Sequence, residues 1–201
     1  AGQATPAPNA APAGPDPAMN PSTHPEPALV EGPGGLPVLD ISNPLARARV
    51  SLQGAQVLEF RPTGGPELLF VSPKAVFAPG QPIRGGVPVC WPWFGPDPDG
   101  RGRPMHGFAR NRPWALRSTA TTADGGTVVV LGLTDDAATR ALWPHAFDLE
   151  LSVSIGRTLG LALTTRNTGH APFHITQALH SYLAVGDIAE VAVLGLDGCD
   201  Y

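Results

Sequence analysis

Large apolar side chains recur at every second position in the second half of the chain. Between residues 148 and 163 they alternate with polar or small residues, and Gly156 interrupts the alternation once. The apolar positions are Leu149, Leu151, Val153, Ile155, Leu159, Leu161 and Leu163. A period of two places successive side chains on opposite faces of a β-strand. This stretch therefore predicts a β-hairpin with one buried face.

Shorter stretches predict the remaining elements. Residues 46–52 alternate in the same way, and residues 127–133 are more evenly apolar, so both predict strands. The one predicted helix is a short turn over residues 135–142, with an aspartate as its N-cap and Pro144 after its end. Because Gly, Pro, Asp and Asn separate these stretches, the pattern favours an all-β protein with antiparallel strands.

Residues 1–35 are predicted to be a disordered tail, and residues 36–201 a folded domain. The first 28 residues hold eight Pro and eight Ala, which offer too little apolar surface to offset the entropy lost on ordering. The first branched aliphatic residue is Leu29, so no hydrophobic core of a signal peptide is visible. We therefore expect a cytoplasmic protein.

Composition excludes several classes of partner. The 201 residues carry a net charge of -4, whereas binding to nucleic acid or to an anionic membrane favours a basic patch. No apolar run approaches the ~18 residues of a membrane span. Two cysteines, Cys90 and Cys199, are too few for a disulfide framework, so we expect both to be reduced and Cys90 to serve packing.

The segment 173–183 has two faces if it forms a strand. One face is apolar and consists of Phe173, Ile175, Leu179 and Leu183. The other is polar and aromatic and consists of His174, Thr176, Ala178, His180 and Tyr182. The residues alone leave two interpretations open for this second face, which is either a solvated outer surface or the wall of a cleft.

Residues 82–114 predict an ordered loop system, because Gly, Pro and Trp follow one another too closely for a strand. Ordered loops on a rigid scaffold often carry binding groups. The candidates are Arg84 before two glycines, His106 before Gly107, and Arg110. Trp91, Trp93 and Phe94 either belong to the core or stack on the apolar face of a sugar.

Three motifs in this region and beyond it resemble the hexose-6-phosphate mutarotases of the aldose 1-epimerase superfamily. They are KAVF followed by PIRGGVPVCWPWFG within 74–95, HGFARNRPW at 106–114, and QALHSYLAVGDI at 177–188. The resemblance covers residues 36–201. It implies a galactose-mutarotase-like antiparallel β-supersandwich whose concave face binds sugar, and a protein that is monomeric at full length.

The resemblance also implies an activity, the interconversion of α and β anomers of aldohexose 6-phosphates. A general acid protonates the ring oxygen while a general base removes the anomeric hydroxyl proton, and an imidazole suits proton transfer near neutral pH. By motif, His180 takes the acid position and His106 holds the substrate near these oxygens. Arg84 and Arg110 match the arginines expected to bind the phosphate. The family uses no metal and no cofactor, and we expect none here.

One departure from the family concerns the general base, which the family places on a glutamate well after the ALHSY motif. The chain ends at Tyr201, and Glu190 does not match that position. We therefore expect a sandwich truncated at its C-terminal end, with low stability and no mutarotase activity on its own.

Two other functions remain open on the same motifs. One is a non-catalytic carbohydrate-binding protein on this scaffold. The other is an aldose 1-epimerase acting on unphosphorylated sugar, although Arg84 and Arg110 argue against it because a neutral sugar needs no pair of cations.

Overall fold

Two antiparallel sheets of four strands each form the fold in a computed structural model that describes residues 26–199. The first sheet contains, in spatial order, β1 (Ala28–Glu31), β2 (Pro37–Ser42), β3 (Ala46–Ser51) and β4 (Gln56–Pro62). A short strand β5 (Val89–Cys90) follows. The second sheet contains β6 (Ala115–Thr121), β7 (Thr127–Thr134), β8 (Phe147–Ile155) and β9 (Leu159–Asn167). The last strand, β10 (Ala178–Leu179), pairs with β5.

The core lies between the two sheets, where their apolar faces meet. The first sheet contributes mainly Leu39, Ile41, Ala48, Val50, Val57 and Phe60. The second contributes mainly Val129, Leu131, Leu149, Leu151, Val153 and Ile155. The side-chain amide of Asn43 also joins the sheets, because it donates to Thr127 Oγ1 at 3.0 Å and to the carbonyl of Ile155 at 2.9 Å. The all-β class with antiparallel strands expected from the sequence is confirmed.

The predicted hairpin is confirmed as β8 and β9, which pair in register from Phe147 with Asn167 to Ile155 with Leu159. The predicted strands at 46–52 and 127–133 correspond to β3 and β7.

The predicted helix is also confirmed. Helix α1 spans Ala137–Leu142, and Asp136 caps it by accepting from the backbone N–H of Thr139 at 2.6 Å. In return, Thr139 Oγ1 accepts from the backbone N–H of Asp136 at 2.8 Å. This reciprocal pair is a capping box, which satisfies donors at the helix start.

The predicted tail boundary at residue 35 is wrong. Strand β1 and a 3₁₀ turn over Pro33–Gly35 lie inside the stretch predicted as disordered. The side chains of β1 are mostly exposed on both faces, so the sequence shows no alternation there. Its pairing with β2 and the packing of Val30 against a small second cluster account for the strand. Residues 1–25 of the predicted tail lie outside the described residues.

The segment 173–183 forms a strand only at Ala178–Leu179. Its backbone N–H groups at Thr176, His180 and Tyr182 donate to the carbonyls of Pro92, Pro88 and Gly86. Two of these partners are prolines, which have no N–H to return, so a continuous ladder is not possible. The predicted apolar face nevertheless packs on the core at Phe173, Ile175 and Leu179, whereas Leu183 is exposed.

Within residues 26–199, no helix has both the length and the apolar character needed to cross a bilayer.

We predict that Leu151→Ala lowers the free energy of unfolding by about 2–5 kcal/mol, because it removes buried methylenes and leaves a cavity. Leu151 is fully buried between the sheets. The matched control is Leu116→Ala in β6, where the side chain is 39% exposed. Urea denaturation followed by circular dichroism measures both, and equal losses would contradict the placement of the core.

Candidate active site

The backbone on both sides of Arg84 is held by one buried side chain. The amide nitrogen of Gln56 donates to the carbonyl of Ile83 at 3.1 Å and to that of Gly85 at 2.6 Å. Gly85 and Gly86 both have positive φ, and a Cβ on Gly86 would lie 2.1 Å from the carbonyl oxygen of Val57. Two glycines are therefore required for this close approach, and the Arg84 side chain is left exposed.

The aromatic residues after this segment divide between the core and the surface. Trp91 and Trp93 are 0% and 4% exposed, whereas Phe94 is 48% exposed. The core interpretation thus holds for the two tryptophans. Phe94 lies instead against the two histidines of the motifs, with ring centroids 4.9 Å from His106 and 6.3 Å from His180.

His106 sits at the end of a loop that returns to Gly95. Its backbone N–H donates to the carbonyl of Gly95 at 2.7 Å, and its Nδ1 accepts from the backbone N–H of Gly95 at 3.0 Å. An Nδ1 that accepts a hydrogen bond carries no proton, so the neutral ring carries its proton on Nε2. The φ of His106 is +65°, a conformation that residues with a side chain rarely adopt.

The two histidines of the motifs face each other although 74 positions separate them. The ring centroids of His106 and His180 are 6.1 Å apart, and Tyr182 stacks 5.0 Å from His180. The His180 side chain is exposed, and that of His106 is half-buried. The polar face of segment 173–183 therefore meets the loop that carries His106 at the exposed His180.

Arg110 lies in the same cluster. Its Nη2 donates to the carbonyl of Met105 at 2.9 Å, while its Nε is buried and has no hydrogen-bond partner among the described residues. Its charge acts on both His106 and Cys90. Cys90 itself is buried, which raises the pKa of its thiol, so its predicted packing role is confirmed.

Three causes lower the pKa of His106. Partial burial is the largest, and the positive charge of Arg110 and the neighbouring His180 add to it. All three disfavour the imidazolium form. His106 is therefore a neutral hydrogen-bond donor through Nε2 near neutral pH.

Among the described residues, Arg84 has no side-chain hydrogen bond or ion pair to this cluster. It lies at the far end of the segment that carries Pro88, where the backbone of His180 is bound. Its own backbone carbonyl accepts from Ser72. Of the four residues expected to form the site, the structure thus joins His106, Arg110 and His180 and leaves Arg84 apart.

No carboxylate within residues 26–199 is among the groups that shift the His106 pKa. Asp187 caps a 3₁₀ turn over Ile188–Glu190 by accepting from the backbone N–H of Ala189, and Glu190 is exposed.

No three His, Cys, Asp or Glu side chains of the described part of the chain are grouped so that they could hold a metal ion.

A cavity of about 290 Å³ lies next to Trp93. Trp93, Arg103, Trp143, His174 and Thr176 are among its lining residues, but neither His106 nor His180 lines it. The histidine pair therefore lies on an open surface beside the cavity.

Sequence reasoning missed a buried ion pair between Asp97 and Arg103 in the loop that ends at His106. Their side chains are 5% and 7% exposed. The density of Asp, Gly and Arg between residues 97 and 103 is the one signal in the sequence, and it reads equally well as a solvated loop.

The family model for aldose 1-epimerase matches residues 37–201. The chain is 44% identical over 161 residues to a protein of Escherichia coli K12 named "Putative glucose-6-phosphate 1-epimerase", covering 80% of this chain and 53% of that protein. It is 39% identical over 184 residues to a protein of the same name from Cenchrus ciliaris, covering 86% and 54%. The chain thus spans about half the length of these relatives.

Solved structures agree in fold. A crystal structure described as a "putative mutarotase" from Salmonella typhimurium superposes with a TM-score of 0.71 at 38% identity, over 81% of this chain and 56% of that one. A galactose mutarotase-like protein from Clostridium acetobutylicum superposes with a TM-score of 0.51 at 19% identity, over 70% of this chain and 47% of the other. The second similarity supports the fold alone.

We predict that the His106 imidazole titrates below the usual histidine pKa of about 6.5 and carries its proton on Nε2 when neutral. Folding lowers this pKa, so the folded protein favours the neutral form of His106. The contribution of His106 to the free energy of unfolding is therefore fully present above pH ~6.5, and it is lost as the pH falls through the folded pKa. NMR of the ring nitrogens and urea denaturation against pH measure both effects. His106→Asn should remove this part of the pH dependence, and His170→Asn, an exposed control, should retain it.

Proposed function

Because the chain belongs to the aldose 1-epimerase family, we propose that it serves the interconversion of α and β anomers of aldohexose 6-phosphates. The observation that carries the proposal is the meeting of His106 and His180, 6.1 Å apart between ring centroids, beside Arg110. The same three residues stand in the motifs that resemble the mutarotases. Two relatives, 44% and 39% identical to the chain over the aligned residues, carry the name "Putative glucose-6-phosphate 1-epimerase".

In the proposed reaction, the protonated imidazole of His180 gives a proton to the ring oxygen of the sugar. A base takes the proton of the anomeric hydroxyl, the bond between C1 and the ring oxygen breaks, and an open-chain aldehyde forms. Rotation about the C1–C2 bond turns the other face of the aldehyde towards the ring hydroxyl. Closure reverses both proton transfers and gives the other anomer, so acid and base are restored.

His106 is assigned to binding. Its neutral ring offers one N–H donor at Nε2, because Nδ1 is occupied by the Gly95 backbone. A fixed donor of this kind fits an oxygen at or near the anomeric centre, where negative charge grows during ring opening. Phe94 beside it gives the apolar face of a sugar ring a surface for stacking.

Arg110 and Arg84 are assigned to the phosphate. Within the described residues, the Arg110 side chain makes one hydrogen bond, from Nη2 to the Met105 carbonyl, so its guanidinium retains donors that match phosphate oxygens. Arg84 is exposed, with its backbone fixed by Gln56. The phosphate is on C6, away from the anomeric carbon, and a long side chain can reach it from outside the histidine cluster.

The base is assigned to no residue of the described part of the chain, since no carboxylate there is among the groups that shift the pKa of His106. Catalysis is therefore tested on a chimera in which the C-terminal part of the Escherichia coli relative follows residue 201. The 201-residue chain alone tests binding.

We predict that His180→Asn in this chimera slows anomer exchange of glucose 6-phosphate by ~10²–10⁴-fold, because a positioned general acid is lost. Exchange spectroscopy by NMR measures the rate. His174→Asn, on the same segment, is the matched control and should keep the rate of the unchanged chimera. Exchange at that same rate in the His180 variant would remove His180 from the acid role.

We predict that Arg110→Ala and Arg84→Ala each weaken binding of glucose 6-phosphate about ten- to a hundredfold, the contribution of one charged hydrogen bond. Binding of glucose should change little, because it has no phosphate. Calorimetric titration of the 201-residue chain with both sugars makes the comparison, and Arg61→Ala is an exposed control. Equal losses for the two sugars would assign the arginines to structure.

A further inference from the structure

We propose that Asp97 and Arg103 are positioning residues, which hold the imidazole of His106 in the orientation needed to bind the sugar. The proposal rests on the role given to His106 in the proposed function. Neither residue is assigned a contact with substrate.

The loop between Gly95 and His106 is closed at its base by two hydrogen bonds. The backbone N–H of Gly95 donates to His106 Nδ1, and the backbone N–H of His106 donates to the Gly95 carbonyl. The first of these bonds fixes the orientation and the proton position of the ring. It survives only while the two ends of the loop stay together, and His106 has a left-handed backbone that its surroundings must hold in place.

Asp97 and Arg103 connect the first and last parts of the loop, its two arms, a few residues inside the hydrogen bonds between Gly95 and His106. The Asp97 carboxylate accepts from the backbone N–H groups of Asp99, Arg101 and Arg103. It also accepts from Nε and Nη2 of the Arg103 guanidinium, the former at 2.9 Å. The two side chains are almost fully buried, so water cannot replace either partner at little cost.

The guanidinium also anchors the loop to the core. Its Nη1 donates to the carbonyl of Leu142 at 3.2 Å, at the end of α1. Its Cζ lies 4.4 Å from the ring centroid of Trp93, in cation–π contact. The indole N–H of Trp93 donates in turn to the carbonyl of Pro104 at 3.0 Å, two residues before His106. The loop thus has a fixed position relative to the sheets as well as a fixed shape.

The position of the pair in the sequence directs its effect to His106. Asp97 follows Gly95 by two residues, and Arg103 precedes His106 by three. Hydrogen bonds from Arg103 hold the pKa of the Asp97 carboxyl well below its usual range, so the pair stays charged while His106 titrates. Loss of the pair frees both arms, and the ring then exchanges the Gly95 N–H for water. Sugar binding loses an oriented donor.

The test uses the 201-residue chain with ¹⁵N-labelled histidine. In the unchanged protein, the His106 ring nitrogens should report one neutral tautomer, protonated at Nε2. Arg103→Met removes the guanidinium but keeps an unbranched apolar stem. It should give a mixture of both tautomers together with a roughly tenfold loss of affinity for glucose 6-phosphate, the size of one charged hydrogen bond. Arg103→Lys keeps the charge without the fork and should give an intermediate result.

The matched control is Arg117→Met, which removes an arginine bound to Asp148 and Glu150 on the second sheet. It should lower the thermal midpoint while leaving the His106 tautomer and the affinity unchanged. A His106 ring that keeps one tautomer and its affinity in Arg103→Met overturns the proposal, and so does an equal response to Arg117→Met. If Arg103→Met does not fold, Asp97→Asn replaces it, because it removes the negative charge of the same ion pair. A single unchanged His106 tautomer with unchanged affinity in that variant would likewise overturn the proposal.

The two hypotheses fail separately in this experiment. A tautomer that responds to Arg103→Met in a chain that does not bind glucose 6-phosphate supports the positioning of His106 and rejects the proposed substrate. Binding of glucose 6-phosphate with an unresponsive tautomer supports the substrate and rejects the positioning role.

Discussion

The burial of Trp91 is the constraint on which the site depends. Its ring lies 4.5–5.7 Å from those of Phe147, Trp143 and Phe108, and its indole N–H donates to Thr165 Oγ1 on β9 at 3.0 Å. Its backbone carbonyl accepts from the N–H groups of Phe108 and Ala109. Trp91 therefore connects the backbone on both sides of the loop from Gly95 to His106 with the second sheet. Phe94 and His106 follow and precede these anchored segments, and their rings lie 6.3 Å and 6.1 Å from that of His180.

Close approach of backbones explains why glycine follows His106. A Cβ on Gly107 would lie 2.0 Å from the carbonyl oxygen of Trp91, and the φ of Gly107 is +73°. A larger residue would move the 107–109 backbone away from Trp91 and leave its carbonyl buried without partners. The same contact sets where the loop closes on Gly95. Packing of an aromatic core and orientation of an imidazole are thus parts of one arrangement.

The sequence predicted β3, β7, β8 and β9 from their apolar positions, but it did not single out β2 and β4, which also contribute to the core, or the exposed β6. The alternation of β8 and β9 is regular because one face of each packs on the core. In β6 every residue is exposed, so no pattern marks it and it was not predicted. The meeting of His106 with His180 could not come from periodicity, since it depends on the closure of the loop from Gly95 to His106 and on the pairing of β10 with β5. The resemblance in motifs indicated that both histidines belong to one site. Neither periodicity nor the motifs indicated that Arg103 is the buried partner of Asp97.

The electrostatics of the site fit the two assigned tasks together. Partial burial, Arg110 and His180 all disfavour a charge on His106, so the imidazole assigned to binding stays neutral and the positive charge of Arg110 remains available to an anion. A phosphate bound there would partly neutralise this positive field. The same positive field would keep a neighbouring carboxylate deprotonated near neutral pH, as a general base must be. Under the proposed function, the same charges would therefore serve both tasks, because they keep His106 a neutral donor and attract the phosphate.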